Sequence, residues 1–111
     1  ELRRWVSTPL PLEITREAWL IQIFFAHGIT NEDIVQLFEK RIEAIREYLK
    51  LCQVAQAHID ENYEQVGIKR LRELWQLTLD YGTDYYENEI AWLEKTLPRV
   101  HKLPAMELPK T

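Results

Sequence analysis

The stretch between Trp75 and Leu97 constrains the fold more than any other part of this sequence. It contains no proline and keeps helical spacing throughout, so it predicts a single helix of about six turns. Its apolar residues fall on two sides of that helix. The first side carries Trp75, Leu79, Tyr86, Ile90, Leu93 and Leu97. The second side carries Leu74, Thr78, Tyr81, Tyr85 and Trp92. A helix that is apolar on two sides needs cover on both, and a short chain does not readily supply two covers.

A second long helix is predicted upstream, from Asn31 to about Asn62. Thr30 is a good N-cap, and Asp33 occupies the position from which an acidic side chain can accept a hydrogen bond from the N-cap backbone, as in a capping box. A heptad pattern then continues with little interruption through Val35, Phe38, Ile42, Ile45, Leu49, Cys52, Gln56, Ile59 and Tyr63. Such a pattern predicts coiled-coil-like packing against another helix.

The N-terminal part divides at two prolines. Residues 1–6 are interpreted as the end of a helix whose beginning is missing, and residues 7–14 as a linker. A further helix is predicted from Thr15 to His27, with Gly28 as its left-handed cap. Because seven of the eight residues 19–26 are apolar, this helix is expected to be buried nearly all round.

Gly67 marks a turn at residues 65–68, and Pro98 is expected to end the last helix. The predicted domain therefore spans residues 15–97, and residues 98–111 form a loose tail. The fold class is all-α: an antiparallel hairpin of two long helices with coiled-coil-like packing, plus a short buried N-terminal helix. Since one chain has too few elements to cover every apolar side, the domain is expected to be dimeric.

Charge and composition limit the classes of function. The formal net charge is −4, and the basic residues are interspersed with acidic ones, so this chain is not expected to hold nucleic acid by itself. The one cysteine, Cys52, excludes an internal disulfide and favours a cytosolic (cytoplasmic) location. The longest apolar run is far shorter than the ~20 residues that span a bilayer, so no membrane partner is expected.

Motifs for catalysis are not found. The sequence has no glycine-rich phosphate loop, no Cys-x-x-Cys and no His-Glu-x-x-His, and its three histidines, His27, His58 and His101, stand far apart. Glu87 and Glu89 are two positions apart and point in different directions on a helix, so they are not an acid–base pair. We therefore predict no enzyme activity, no catalytic residues, no metal site and no cofactor.

The aromatic residues carry the remaining signal. They can fill an ordinary core, or they can form an interface or a pocket, because Trp and Tyr are favoured anchors in binding sites. The sequence leaves these alternatives open.

Several segments together resemble a known family. The segment 2–5, Leu-Arg-Arg-Trp, followed by a proline-containing linker, is similar to the junction after the winged helix-turn-helix of PadR-like transcriptional regulators. Residues 79–82, 85–87, 89 and 92–94 resemble the closing helix of their C-terminal domain, the virulence-activator alpha C-terminal domain. The resemblance extends over nearly the whole chain, from Glu1 to about Leu97.

The resemblance implies a homodimerisation domain that holds two winged helices on DNA. It also implies that residues 1–6 are the end of a helix from a missing N-terminal winged-helix domain, which reads the DNA. It also implies a possible small aromatic, phenolic or lipophilic effector. The residues that it places at or near the dimer core are Trp75, Leu79, Gly82, Tyr85 and Trp92. The candidate effector pocket comprises Trp19, Phe24, Tyr81 and Trp92. Gly82 interrupts a helix, and we expect another helix to cross close to it.

Overall fold

The computed structural model describes residues 2–10, 17–66 and 69–105, and the part of the chain that it describes is helical throughout apart from short connections. The α-helices are α1 (Leu2–Ser7), α2 (Ala18–Phe24), α3 (Asn31–Val66) and α4 (Lys69–His101), with a 3₁₀ turn at Ala26–Gly28. The all-α prediction and the two long helices are therefore confirmed.

Helix α3 begins at the predicted capping box. The Asp33 backbone N–H donates to Thr30 Oγ1 at 3.1 Å, and the Thr30 backbone N–H donates to Asp33 Oδ2 at 3.3 Å. Both bonds use N–H groups that a helix start leaves unpaired, so this local signal fixes where the helix begins. The helix ends at Val66, four residues beyond the predicted end at Asn62. The glycine of the predicted turn, Gly67, lies outside the described residues.

Helices α3 and α4 pack as an antiparallel hairpin. At one end the Asn31 side-chain amide donates to the Leu103 carbonyl at 2.9 Å, and near the other end an Arg72 Nη2 donates to Asp60 Oδ1 at 3.2 Å. We call the end with Asn31 and Leu103 the proximal end, and the end towards residues 67–68 the distal end. Contacts of this kind at both ends require that the two helices run in opposite directions along nearly their full length.

The core of the hairpin lies in its proximal half. The buried apolar side chains of the two long helices are Ile34, Val35, Phe38, Ile42, Ile45, Cys52, Leu93 and Val100. Most of them occupy the predicted heptad positions of α3. Among the described residues, no side chain of α3 after Cys52 is buried, and none of α4 before Leu93. In the distal half the two helices are joined instead by polar contacts, including a reciprocal amide pair between Gln56 and Gln76 at 2.6–2.7 Å.

Pro98 does not end α4, in contrast to the prediction. The helix continues to His101, so residues 98–101 belong to it and not to a tail. A proline within a helix removes one hydrogen bond and crowds the preceding turn, but the last turn has few bonds left to lose. Burial of Val100 and the bond from the Leu103 backbone N–H to the Val100 carbonyl at 3.2 Å hold this turn in place.

Helix α2 differs from the prediction in its burial. Its start at Thr15 lies outside the described residues, and the helix seen spans Ala18–Phe24 without one buried residue. Trp19 and Ile23 pack against the core, whereas Phe24 is 81% exposed. The helix lies on the surface of the hairpin, so only one of its sides meets this chain. Gly28 is not a left-handed cap, because the chain leaves α2 through the 3₁₀ turn.

The two long helices form a single layer, and α2 lies on one of its faces. The principal extents of the molecule are 70 × 31 × 16 Å, and its radius of gyration is 20.2 Å, against roughly 13 Å for a compact domain of this length. Its accessible surface is 9792 Å², whereas a compact monomer of 13.3 kDa exposes about 6,500 Å². A layer of two helices has two broad faces and little interior.

Candidate functional site

The two broad faces of the hairpin differ in chemistry. We call the face that carries α2 the apolar face; its residues on α3 and α4 are Leu37, Arg41, Ala44, Tyr48, Leu51, Leu74, Thr78, Tyr81, Tyr85 and Trp92. The opposite, charged face carries Glu43, Arg46, Glu47, Lys50, Asp80, Asp84, Glu87 and Glu94, all exposed. On the charged face Arg46 pairs with Glu94 at 2.9 Å. The two faces of the helix layer therefore differ in the solvent or surface that each favours, and the apolar face leaves large apolar side chains in water.

Three aromatic rings join α2 to the proximal half of the apolar face. The Trp19 ring meets the Phe38 ring edge-on at a centroid distance of 6.0 Å and the Trp92 ring at 6.3 Å. Phe38 and Trp92 stack at 6.1 Å with an interplanar angle of 27°. Edge-to-face and offset arrangements are the favourable ones for aromatic rings, so this cluster fixes α2 on the hairpin.

Arg41 lies at the centre of a polar network beside this cluster. Its guanidinium bonds Glu89 with two contacts, Nε to Oε2 at 2.6 Å and Nη2 to Oε1 at 3.1 Å. The same group lies 3.7 Å from Glu17 Oε2 and 5.4 Å from the centroid of the Trp19 ring. One cation thus connects α2, α3 and α4, with Glu17 immediately before α2, Arg41 on α3 and Glu89 on α4.

Hydrogen bonds perturb the acid–base behaviour of this network. The Tyr85 hydroxyl donates to Glu17 Oε1, and the Trp19 Nε1–H donates to Glu17 Oε2 at 2.7 Å. The bond from Tyr85 first, then the bond from Trp19, lowers the pKa of Glu17, and the positive charge of Arg41 acts in the same direction. The bond to Glu17 in turn raises the pKa of Tyr85 to about 12. Around neutral pH Glu17 is therefore an acceptor and Tyr85 a donor.

A second aromatic group continues the apolar face towards the distal end. Tyr48 on α3 meets Tyr86 on α4 at a centroid distance of 4.6 Å, and Tyr86 meets Tyr85 at 5.1 Å. Tyr81 stacks on Tyr85 at 6.4 Å and is 75% exposed. The rings form a continuous row that is increasingly open to solvent towards the distal end.

Two open concavities adjoin the Arg41 network. One, of about 480 Å³, is lined by Trp19, Leu20, Tyr85 and Trp92 among others. The other, of about 800 Å³, is lined by Trp19 and Arg41 together with Tyr81, Gly82, Tyr85 and Tyr86. Three of the candidate effector residues, Trp19, Tyr81 and Trp92, therefore border this region. The fourth, Phe24, lines neither concavity, and its ring lies 5.0 Å from that of Phe25.

The candidate dimer residues fall on two sides of α4. Tyr85 and Trp92 lie on the apolar face, each about two-fifths exposed, whereas Leu79 is partly buried towards α3 and Trp75 is 43% exposed near the distal end. Gly82 is partly buried. A Cβ there would meet only the Tyr48 hydroxyl, at 3.9 Å, so no helix of the described chain crosses close to it. The close crossing stays a prediction that concerns a second molecule.

Sequence reasoning missed the residues of the polar network. Arg41 and Glu89 are 48 positions apart, and the residues around each of them do not predict that the two side chains pair. The available signal was the position of Arg41, which directly precedes a heptad residue, Ile42, and so lies at the edge of the buried stripe. A charge at such an edge calls for a partner on the facing helix.

Other kinds of site are not seen in the described residues. Within residues 2–10, 17–66 and 69–105 no group of three or more His, Cys, Asp or Glu side chains could hold a metal ion. None of the helices described is both long enough and apolar enough to cross a membrane.

The fold and the face define a class: a helical hairpin with an uncovered aromatic face. A family model described as virulence activator alpha C-term matches residues 15–101, and the chain belongs to this family. The match confirms the resemblance to the C-terminal domain of PadR-like transcriptional regulators. None of the proteins with curated descriptions matches the chain.

Solved structures share the fold. The crystal structure of smu.1604c from Streptococcus mutans UA159 superposes with a TM-score of 0.65 at 22% identity, over 87% of this chain and 54% of that one. The PadR-like transcriptional regulator BC1756 from Bacillus cereus gives a TM-score of 0.63 at 21% identity, over 88% of this chain and 52% of that one. This chain thus spans about half the length of these two proteins.

Proposed function

We propose that this chain is the homodimerisation domain of a PadR-like transcriptional regulator. In this role it positions two winged helix-turn-helix domains, supplied by sequence outside these residues, on DNA. The observation that carries the proposal is the apolar face, which leaves large aromatic and aliphatic side chains open on one side of a single-layer fold. Monomeric proteins rarely leave a contiguous apolar patch of this size uncovered.

A two-fold pairing of identical chains is the simplest cover for such a face. In an isologous dimer the same surface serves both subunits, so one face suffices. The acidic balance of the chain, with a net charge of −4, supports the view that DNA contact belongs to the winged helices. A dimer with two-fold symmetry suits two half-sites of a pseudo-palindromic operator.

Sedimentation velocity tests the dimer. We expect the chain to sediment as a dimer, and we expect Tyr81→Lys to dissociate it with unchanged helicity, because Tyr81 is 75% exposed in the single chain. Ala91→Lys is the matched control: it adds the same charge to the same helix at an exposed position away from the apolar face. A folded wild-type chain that stays monomeric at all concentrations would refute the proposal.

Effector sensing is the second candidate function. The observation that favours it is the concavity of about 480 Å³ beside Trp19 and Trp92, which lies in the size range of small-molecule pockets. An apolar or phenolic compound bound there should produce a saturable change in tryptophan fluorescence. Trp92→Phe should diminish this change, and Trp75→Phe, a change at a tryptophan outside the concavity, should retain it. A flat response to a broad panel of phenolic and lipophilic compounds would leave packing as the role of these rings.

A further inference from the structure

The distal half of the apolar face has no cover in the described chain. Helix α2 lies over the proximal half, where its Trp19 contacts Phe38 and Trp92. The 3₁₀ turn follows it and contributes the buried Ala26. Beyond them, towards residues 67–68, the face continues with half-open to fully open side chains. These are Tyr48 at 44% exposure, Leu51 at 65%, Leu74 at 50% and Tyr81 at 75%.

Helix α2 itself has a second apolar side. Trp19 and Ile23 meet the hairpin, and the side chains on the outer side are Leu20, Ile21, Phe24 and, just after the helix, Phe25. The sequence of the helix, AWLIQIF, contains no charged residue. A short surface helix that only had to cover its own hairpin would carry polar residues on the outer side.

We propose that in the dimer α2 of each subunit is held between the two hairpins, with its inner side on its own proximal half and its outer side on the distal half of the partner. This arrangement deepens the proposed dimerisation and rests on it. It requires that the two hairpins lie face to face and antiparallel. A two-fold axis that lies in the plane between the two faces, perpendicular to the long axes of the hairpins, then exchanges proximal and distal halves, and each subunit supplies one helix and receives one.

The distribution of buried residues supports a second copy as the occupant. The distal half contains no buried side chain among the described residues of α3 after Cys52 or α4 before Leu93, so its own chain does not supply a core there. An uncharged helix surface would meet an uncharged stretch of the face, which leaves no charge buried without a partner. An aromatic side chain can bury about 150–250 Å² of surface. The exposed apolar residues of the face and of α2 can therefore bury on the order of 1,000 Å² of accessible surface per chain. A standard interface needs about 800 Å² per partner.

Site-directed crosslinking of two differently tagged chains tests the arrangement. One chain carries Phe24→Cys and the other Leu51→Cys, and a short bismaleimide is added to the mixed dimers. The native chain, whose Cys52 is buried, gives the background. We expect a product that contains both tags, at twice the mass of one chain. The matched control replaces Leu51→Cys with Arg46→Cys, an exposed position of α3 on the charged face, and should give background only.

The outcomes separate the two proposals. A sedimenting dimer with the Phe24–Leu51 product supports the arrangement. A sedimenting dimer in which this pair gives only background, or in which the Arg46 control reacts equally, refutes the arrangement and leaves dimerisation standing. A monomer in sedimentation refutes both. If an unrelated protein covers the distal half instead of a second copy, the wild-type chain alone sediments as a monomer.

Discussion

Arg41 shows how a single side chain can join three helices. Its two contacts with Glu89 are well aligned, and the side chains are only 27% and 11% exposed, respectively. A partly buried ion pair contributes through geometry and hydrogen bonding, and loss of one partner leaves the others desolvated without compensation. The Arg46–Glu94 pair on the opposite face has a similar sequence separation but is 62% and 50% exposed, so water screens it.

These two arginines give a matched comparison. We expect Arg41→Met to lower the free energy of unfolding by about 2 kcal/mol, because it leaves Glu89 and Glu17 without their cation. Arg46→Met should cost less than about 1 kcal/mol, as exposed pairs usually do. Urea denaturation followed by circular dichroism at one protein concentration measures both. Equal losses in the two variants would show that the Arg41 network adds no more than a surface pair.

At the scale of elements, α2 is the part most dependent on side-chain chemistry. It spans seven residues, and its attachment to the hairpin rests on Trp19, Ile23 and the hydrogen bonds of Glu17. An isolated helix of this length is unstable in water. Its position therefore depends on the acceptor state of Glu17.

This dependence predicts an acid-induced release of α2. The pKa of Glu17 is lower in the folded chain than its ordinary value of 4.5, so the stabilisation is complete above that value and is lost as the pH falls through the folded pKa. We expect tryptophan emission to shift to the red in that acid range as Trp19 and Trp92 become exposed, before the circular dichroism signal of α3 and α4 falls. In Glu17→Gln the early shift should be absent. An unchanged early shift in this variant would assign the transition to other carboxyl groups.

The long helices and the short one differ in how far the sequence predicts them. The capping box at Thr30 and the heptad pattern are local signals, and the structure confirms the start of α3 and its buried face. The expected burial of α2 was wrong because apolar composition shows that a segment needs cover, not which molecule supplies it. Pro98 was misread because its cost in a last turn is smaller than the gain from burying Val100.

At the scale of the whole molecule, the site follows from the absence of a second layer. The aromatic residues were recognisable in sequence, but their division into the Trp19 cluster and the distal tyrosines depends on where α2 lies. That position is set by contacts between residues more than 40 positions apart, such as Glu17 with Tyr85. Sequence periodicity places Arg41 at the edge of the buried stripe but does not identify the partners of such residues, so the pairing of Arg41 with Glu89 is evident only in the structure.

The proximal position of the core also has a kinetic consequence. The buried apolar residues lie towards one end of the hairpin, so packing holds the two long helices together mainly at the proximal end. Thermal opening of the single chain starts where buried side chains are fewest. Among the described residues, the backbone amides around Gln56 and Gln76 therefore open at a lower free energy than those around Phe38 and Leu93. Closure proceeds in the reverse direction. A partner bound on the distal half would bury side chains at that end as well, and would reduce the difference in opening free energy between the two ends.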